Sequence, residues 1–462
     1  MRINVPDKVR YIIKVLNEHG HEAYAVGGCV RDSILNREPG DWDITTSASP
    51  YEVKELFHRT IDTGIQHGTV TVMLDKDGFE VTTYRLDGEY EDCRHPKQVE
   101  FTKSLEEDLK RRDFTINAMA YNDEEGMVDL FQGLEDIKAK SIRCVGNPLD
   151  RFEEDALRIL RAVRFSSQID FEIEEKTKEA IAVKAPNLVN ISAERIRVEF
   201  NKLFLSRYPE KLQIAYETGI TKVVLPEFDH KKNQCYLLDD IKTDLGEVTL
   251  RMLKEVSNLG NQVQIMYDRK TKAKEERYLT SKEWLALSYA VLLASFSEKI
   301  SQGEYEINKH CEQNAEQAKQ VMKRLKFDNE TIDCVTKLVL YSCYGIEASE
   351  VGLRRAMNQM GKDLMDVWFL FQQAAIKRFS SDERKERKAH LDALYTNYQA
   401  VLEKKQCVCM KELNINGKDL IQLGCEQGVK LGELLGQLLQ YVIENPEENT
   451  YERLVAYAQR FL

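Results

Sequence analysis

The spacing of hydrophobic residues divides this chain of 462 residues into two parts. In the first part, short runs rich in β-branched and aromatic residues alternate with helical patterns. A helix is predicted over 50–57, because Ser49 can cap it ahead of a proline in its first turn. Strands are predicted over 23–26, 68–74 and 79–84, with a hairpin turn at 75–78.

After about residue 150, the strand signals fade and helical spacing dominates. Only 9 prolines interrupt the whole sequence, which suits long stacked helices. Two polar stretches, 230–244 and 268–277, are expected to be loops or exposed connections. Helices are predicted over 152–165, 192–205, 282–294, 315–325, 364–376 and 392–402.

The composition is that of a soluble, folded protein, with 42% hydrophobic and 31% charged residues. The length exceeds one ordinary core, so roughly two to four domains are expected. No apolar run reaches the length of about eighteen residues that spans a membrane, so no membrane partner is expected. Residues 1–20 have the spacing of an amphipathic helix rather than a secretory signal, which indicates a cytoplasmic protein.

The net charge and the cysteine spacing limit which kinds of partner and metal site are expected. The net charge of −11 argues against broad electrostatic capture of nucleic acid, although lysine and arginine cluster locally at 110–112 and 158–164. The ten cysteines lack paired spacing. Cys407 and Cys409 are the only close pair, and they lack a second pair to complete a zinc site. Reduced structural thiols are therefore expected.

A glycine turn followed by two carboxylates is the most distinctive chemistry near the N-terminus. Gly27 and Gly28 follow the first predicted strand, and without a Cβ their backbone can turn sharply with N–H groups free to donate to a triphosphate. Arg31 adds a guanidinium suited to phosphate oxygens. Asp41 and Asp43 are two residues apart, so on a strand both would leave the same face, about 7 Å apart at Cα.

Two carboxylates at that separation repel by about 2 kcal/mol at an effective dielectric constant near 20. A cation such as Mg²⁺ between Asp41 and Asp43 removes the repulsion and can bridge to phosphate. A plain Gly-Gly turn followed by an acidic loop is the alternative, and either half alone would favour it. Because both halves occur together with a basic motif downstream, the combination favours nucleotidyl transfer.

A third acidic group and the basic motif follow. On the third predicted strand, Glu80 is a candidate to ligate metal or to accept the proton of an attacking hydroxyl, and a solvated strand glutamate is the alternative. In the segment 108–118, Arg112 and Asn117 offer a guanidinium and an amide suited to contacts with triphosphate and ribose hydroxyls. A merely charged start of a helix is the alternative there.

The segment 151–165 predicts one amphipathic helix, with Asp155, Arg158 and Arg161 opposite its apolar arc. As i,i+3 neighbours, Asp155 and Arg158 can be held side by side. A carboxylate only accepts and a guanidinium only donates, so the pair suits the amino group and acceptor nitrogen of cytosine or adenine and opposes uracil and guanine. An ordinary intrahelical ion pair is the alternative. Arg164 falls on the apolar flank, which indicates packing.

Together these motifs resemble those of the bacterial class II tRNA nucleotidyltransferases, the CCA-adding enzymes of the DNA polymerase β superfamily. The similarity continues at 190–196 and 413–420. It implies an α+β polymerase β-like head with a small mixed sheet, followed by an elongated all-α neck, body and tail that hold the tRNA. The implied domains are 1–142 (head), 143–206 (neck), 207–345 (body) and 346–462 (tail).

The resemblance also implies roles for the candidate residues. Mg²⁺ would be bound by Asp41 and Asp43, and an RNA 3′-hydroxyl would attack the α-phosphate of CTP or ATP with release of pyrophosphate. Asp155 and Arg158 would act as an amino-acid template for CTP and then ATP. The expected catalytic set is Asp41, Asp43 and Glu80. The expected nucleotide-binding set is Gly27, Gly28, Arg31, Arg112, Asn117, Asp155, Arg158, Arg161 and Arg164.

The function expected from this resemblance is template-independent addition of CCA to tRNA. The polar segment 87–96, which includes Arg94, resembles the flexible loop associated with adding the terminal A and disfavours an enzyme that adds only CC. A poly(A) polymerase and an A-adding tRNA nucleotidyltransferase remain alternatives. A catalytically silent RNA-binding protein is an alternative of another class, and the intact Asp41, Asp43, Arg112 and Arg158 argue against it. Residues 290–297 lack the His-Asp pair of some relatives, so no phosphohydrolase activity is expected.

Overall fold

A computed structural model describes residues 2–87, 99–238, 241–268, 273–295, 304–343 and 345–462. The chain forms two compact units, residues 1–229 and 230–462. The first unit combines a seven-stranded mixed sheet with helices, and the second is mostly helical. This confirms the α+β head and the predominantly helical remainder. None of the described helices combines the length and the apolar character needed to cross a bilayer.

The strands of the first unit follow the sequence prediction where it was made and add several that it lacked. Their bounds are β1 Ala23–Val26, β2 Ile44–Thr46, β3 Thr60–Gly64, β4 Thr69–Leu74, β5 Asp77–Thr83, β6 Arg85–Asp87, β7 Val99–Phe101, β8 Met119–Asn122, β9 Gly126–Asp129, β10 Ser141–Ile142 and β11 Glu172–Ile173.

The main sheet has the order β3-β4-β5-β2-β1-β8-β9. Only β2 and β5 pair in parallel within it, so the sheet is mixed as expected. In the β4–β5 hairpin, Leu74 lies opposite Asp77, so the turn contains only two residues. Asp75 adopts the left-handed conformation there, with a φ of +58°, which aspartate tolerates better than most residues. The predicted four-residue turn was therefore too long.

The helices of the first unit bury apolar stripes against this sheet and against one another. α3 begins with the predicted cap, since Ser49 and Glu52 form a reciprocal capping box. The bounds are α1 Asp7–Glu18, α2 Gly28–Ile34, α3 Pro50–Leu56, α4 Leu105–Lys110, α5 Gly133–Ala139, α6 Pro148–Glu154, α7 Leu157–Ile169, α8 Glu175–Lys184, α9 Ala193–Phe204, α10 Leu212–Glu217, α11 Ile220–Val224 and α12 Pro226–Lys232, which ends in the second unit.

The predicted single helix over 152–165 was wrong. α6 ends at Glu154, and Asp155 has an extended backbone with φ −139° and ψ 102°. Its carboxylate then accepts a 3.0 Å hydrogen bond from the N–H of Leu157, at the start of α7. Aspartate stabilises the first turn of a helix in this way, and the apolar periodicity that continues through the break concealed it.

The second unit contains two hairpins among its helices, so the all-α prediction for this part was wrong in that respect. The first hairpin falls in the polar stretch 230–244, and the second strand of the other falls in 268–277, both predicted as loops, because polar side chains can remain exposed on a two-stranded ribbon. The bounds are β12 Cys235–Leu238, β13 Ile241–Asp244, α13 Leu245–Gly260, β14 Gln264–Asp268, β15 Ala273–Arg277, α14 Ser281–Leu293, α15 Glu304–Arg324, α16 Asn329–Leu340, α17 Glu350–Met360, α18 Lys362–Ala375, α19 Ser381–Glu403, α20 Gly417–Gln422, α21 Val429–Glu444 and α22 Tyr451–Ala458.

Candidate active site

The turn between β1 and α2 is fixed at the centre of the sheet. Gly27 has a φ of +83°, which favours glycine, and its N–H donates to the carbonyl of Met119 on β8 at 3.2 Å. A Cβ at position 27 would lie 3.1 Å from Nη1 of Arg112. Gly27 therefore both reverses the chain into α2 and leaves room for a guanidinium beside the turn.

The acidic residues meet at the end of the one parallel strand pair in the sheet. Ile44 on β2 lies opposite Val81 on β5, so the residues before them, Asp43 and Glu80, are neighbours as well. The carbonyl of Asp43 accepts a 3.0 Å hydrogen bond from the N–H of Val26. Asp41 and Asp43 precede β2 rather than lying within it, which corrects the expectation that both belong to a strand.

The electrostatics of Asp43 show that these carboxylates interact. Its side chain reaches solvent, yet desolvation by the surrounding protein raises its pKa, and repulsion from Glu80 and Asp41 adds to that effect against the attraction of Arg112. Carboxylate oxygens are suitable ligands for a hard divalent cation, and such a cation would relieve the repulsion. Over the described ranges, no three His, Cys, Asp or Glu side chains already stand in a metal-binding arrangement.

Asp108 on α4 anchors the basic motif, a role that was not predicted from the sequence. Its buried carboxylate accepts hydrogen bonds from Thr45 (3.0 Å), Arg111 (2.7 Å) and Arg112 (3.4 Å). Burial opposes its ionisation, but the charges of Arg112 and Arg111 prevail and lower its pKa. The i,i+3 and i,i+4 spacing to the two arginines was the available signal. Nε of Arg112 is buried without a hydrogen-bond partner in the described part of the chain.

A chain of hydrogen bonds connects α2 with α7. Nη1 of Arg31 donates to Oδ1 of Asn117 at 2.6 Å, and Nδ2 of Asn117 donates to Oδ1 of Asp113 at 3.1 Å. The other carboxylate oxygen of Asp113 accepts from Nε of Arg161 at 2.7 Å. Burial opposes ionisation of Asp113, but the charge of Arg161 and the Asn117 hydrogen bond hold its pKa at about 2.

Phe165 on α7 lies at the centre of three guanidinium groups. The distances from the guanidinium carbon to the ring centroid are 5.0 Å for Arg31, 5.3 Å for Arg161 and 4.1 Å for Arg164. Cation–π attraction lets like charges share this space, since each guanidinium interacts with the ring face. No local pattern predicts this arrangement, because Phe165 has the spacing of an ordinary core residue.

Asp155 and Arg158 bind other partners than those predicted. The Asp155 carboxylate pairs with Arg195 on α9 at 3.0 Å. Arg158 donates to Glu154 at 2.6 Å and to the carbonyl of Arg111 at 3.0 Å. The predicted pairing of Asp155 and Arg158 along one continuous helix was therefore wrong, because the helix is interrupted at Asp155.

Arg164 is buried and forms an ion pair with Glu199 on α9 at 3.1 Å. Burial lowers its pKa to about 10, and nearby Arg161 adds to the effect against the attraction of Glu199. This agrees with the packing role indicated by its position on the helical wheel. Nε of Arg164 has no hydrogen-bond partner in the described residues and is buried.

One network therefore connects most of the predicted site residues within the first unit. Direct contacts run from Arg112 through Asp108 and Arg111 to Arg158, and in parallel from Arg31 through Asn117 and Asp113 to Arg161. The carboxylate of Asp43 is attracted by the charge of Arg112. Gly28 begins α2 beside this network. Arg94 lies outside the described residues, so its placement stays a prediction.

Sequence comparisons agree with this arrangement. Residues 23–143 match the family described as the poly A polymerase head domain, and residues 170–232 match a probable RNA and SrmB-binding site of polymerase A. Residues 306–458 match a putative tRNA nucleotidyltransferase domain 2. A CCA-adding enzyme of Ligilactobacillus salivarius is 36% identical over 467 residues, which covers 99% of this chain and 98% of that protein. The chain belongs to the family of CCA-adding enzymes.

Other CCA-adding enzymes match over shorter regions or in structure. The Bacillus licheniformis enzyme is 50% identical over 224 residues, 48% of this chain and 56% of that protein, so this alignment spans about half of the relative. A crystal structure of the Bacillus stearothermophilus CCA-adding enzyme in complex with CTP superimposes with a TM-score of 0.69 at 30% identity, covering 97% of this chain and 95% of that chain. CCA-adding enzymes are nucleotidyltransferases, and their family uses divalent metal ions.

Proposed function

We propose that this protein adds CCA to the 3′ end of tRNA without a nucleic-acid template, using CTP and ATP. The observation that carries the proposal is the set of contacts that joins Arg112 to Arg158 through Asp108 and Arg111, with Arg112 also attracting the Asp43 carboxylate. These interactions connect Asp43, which is expected to support nucleotidyl transfer, with Arg158, which is expected to select the base. Family membership over the full chain supports the same function.

Asp41 and Asp43 are proposed to hold Mg²⁺. When bound, this ion stabilises charge on the attacking oxygen and on the departing pyrophosphate. Glu80 is proposed to accept the proton of the RNA 3′-hydroxyl or to complete the ligand set, because it neighbours Asp43 across the parallel strand pair. As the 3′-oxygen forms its bond to the α-phosphorus, the bond to the bridging oxygen of pyrophosphate breaks.

Gly27, Gly28, Arg31, Arg112 and Asn117 are proposed to bind the triphosphate and ribose. Arg112 is proposed to contribute most directly, because its Nη1 lies beside the Gly27 turn, 3.1 Å from where a Cβ would stand, and a guanidinium donates well to phosphate oxygens. Arg31 already donates to Asn117 and Asp32, so it also fixes the orientation of the Asn117 amide. That orientation leaves the amide suited to a ribose hydroxyl.

Asp155 and Arg158 are proposed to select cytosine and adenine. Arg195 holds the Asp155 carboxylate as an acceptor, and Glu154 orients the Arg158 guanidinium as a donor. Arg161 and Arg164 lie on the same helix as Arg158 and are proposed to support the base-selecting residues. Arg161 pairs with Asp113, and Arg164 pairs with Glu199. Rejection of uracil and guanine follows from donor–donor and acceptor–acceptor mismatches, at about 1–3 kcal/mol for each group left unpaired.

The remaining helical segments are proposed to hold the tRNA. The match of residues 170–232 to a probable RNA-binding family supports this assignment. The division into head (1–142), neck (143–206), body (207–345) and tail (346–462) belongs to the same proposal. The cytoplasm, where tRNA is matured, is the proposed location.

The experiment is incubation of the full chain with Mg²⁺, a tRNA lacking its 3′ CCA, and each labelled nucleotide in turn. Addition of two C residues followed by one A supports the proposal. A single A on a tRNA ending in CC, without C addition, would indicate an A-adding enzyme, and a long A tail would indicate a poly(A) polymerase. No incorporation under any of these conditions would indicate a catalytically silent RNA-binding protein.

A further inference from the structure

Two cysteines of the second unit lie in direct contact. Cys311 is on α15, and Cys343 follows the end of α16, the helix that packs against α15. Their side chains are hydrogen bonded to each other. The hydroxyl of Ser342 also points at the Cys343 sulfur, with an Oγ–Sγ distance of 3.8 Å. Both cysteines are free thiols.

The buried guanidinium of Arg378 is the third member of this cluster. The Arg378 side chain, after α18, is buried and donates a hydrogen bond to the Cys343 sulfur. The hydrogen bond from Cys311, together with the charge of Arg378, lowers the pKa of Cys343, whereas the same thiol–thiol contact raises the pKa of Cys311. Because Arg378 and Cys343 line the same cavity and Cys311 does not, the cation favours the thiolate on Cys343.

The sulfur of Cys343 is accessible to small molecules. Cys343 lines a cavity of about 160 Å³ together with Arg378, Arg387 and His390. Cys311, by contrast, is only 4% exposed. An accessible thiolate beside a cation, backed by a second thiol, is the arrangement of redox-active cysteine pairs.

A purely structural role or a metal site would account for the cluster less well. Burial raises the pKa of Cys29, Cys144, Cys334 and Cys407, which is the usual state of a structural thiol and the opposite of the shift at Cys343. Within the described ranges, no third His, Cys, Asp or Glu joins Cys311 and Cys343 in a metal-binding group.

We propose that Cys343 and Cys311 form a peroxide-reactive dithiol. The Cys343 thiolate attacks one oxygen of a hydroperoxide, the O–O bond breaks, and the leaving oxygen takes a proton to depart as water or an alcohol. The Cys311 sulfur then attacks the resulting Cys343 sulfenic acid, the S–O bond breaks, and water leaves with the thiol proton. The peroxide is reduced and the two thiols are oxidised to a disulfide. This site is separate from the proposed nucleotidyl transfer and does not depend on it.

The test uses the reduced full chain, treated with hydrogen peroxide, alkylated and digested without reductant. Mass spectrometry should find the peptides containing Cys311 and Cys343 joined, with the loss of two hydrogens. In Cys311→Ser, the sulfenic acid on Cys343 should instead be trapped by dimedone. The exposed Cys235 is the internal control, and we expect Cys343 to react about tenfold faster or more.

A second comparison isolates the role of the cation. Arg378→Gln should slow oxidation of Cys343 about tenfold, and Arg378→Lys should restore part of the rate, with circular dichroism confirming that each variant is folded. If Arg378→Gln does not fold, the comparison of Cys343 with Cys235 in the unmodified chain decides. Oxidation of Cys343 no faster than that of Cys235, or disulfides that do not join Cys343 to Cys311, would overturn the proposal.

Discussion

The carboxylate of Asp155 is held by Arg195, a residue 40 positions further along the chain, at 3.0 Å. Asp155 also caps α7, so its side chain is fixed from two directions. A rigid acceptor discriminates between bases better than a mobile one, because a mismatched base cannot be accommodated by rotation of the carboxylate.

Base selection should therefore depend on Asp155 and, less strongly, on Arg195. Asp155→Ala should reduce the preference for C and A over U and G by about 10- to 100-fold, because the mismatch cost disappears. Arg195→Gln should have a smaller effect in the same direction. Incorporation of each nucleotide into a tRNA lacking CCA measures both, and Lys14→Gln, at an exposed residue of α1, is the control. Unchanged preference in Asp155→Ala would contradict the template role.

The two glycines with a φ of +83°, Gly20 and Gly27, provide a matched test of the phosphate turn. A Cβ at Gly20 meets nothing within 4 Å, whereas one at Gly27 approaches Arg112. Gly20→Ala should cost only the backbone strain, about 1–2 kcal/mol of unfolding free energy. Gly27→Ala should add a rise in KM for CTP and ATP of about tenfold or more, through displacement of Arg112. If the two variants have the same KM for CTP and ATP, Arg112 does not bind the triphosphate.

The carboxylate pair can be tested with isosteric changes. Asp41→Asn and Asp43→Asn should each lower incorporation of both CTP and ATP by about 1,000-fold or more, while the affinity for tRNA changes little. The expected cause is weaker binding of the divalent cation, which titration of Mg²⁺ in the assay would detect. Asp62→Asn, at an exposed carboxylate on β3 of the same sheet, is the control. Near-normal turnover in the Asp43 variant would show that Asp43 is not a required metal ligand.

Asp113 should make the stability of the first unit depend on pH. Its pKa falls from an ordinary value of 3.8 to about 2 in the folded protein. A lowered pKa stabilises the fold above the unfolded value, so the contribution, about 2 kcal/mol, is complete above about pH 5 and is lost as the pH falls towards 2. Thermal unfolding of Asp113→Asn should therefore differ from that of the unmodified chain at pH 7 and converge with it near pH 2. A constant difference across this range would contradict the assignment.

Local signals explain what could be predicted from the sequence. α3 was predicted because Ser49 can cap a helix that has a proline in its first turn, and the β4–β5 hairpin because two β-rich runs flank a turn signal at 75–78. The interruption of the helix at Asp155 was missed because part of its cause, the pairing with Arg195, is a long-range contact.

The same distinction between local and long-range signals applies to the site. Gly27, Asp41 and Asp43 form a recognisable sequence pattern, a glycine turn followed by two aspartates, so they could be selected as candidates without knowledge of the fold. The placement of Arg112 beside Gly27, or of Phe165 beneath three arginines, arises only when distant segments pack. Asp108 is the exception, since its spacing to Arg111 and Arg112 is a local signal that the prediction overlooked.

The parallel pairing of β2 with β5 has a consequence for the newly made chain. Asp43 and Glu80 are neighbours in the sheet although β3 and β4 lie between them in sequence, and Arg112 is synthesised later still. An N-terminal fragment that stops short of β8 lacks Met119, whose carbonyl accepts a hydrogen bond from the N–H of Gly27, so the turn beside Arg112 is not anchored. A chain terminated before β8 is therefore expected to lack the proposed nucleotidyl transfer.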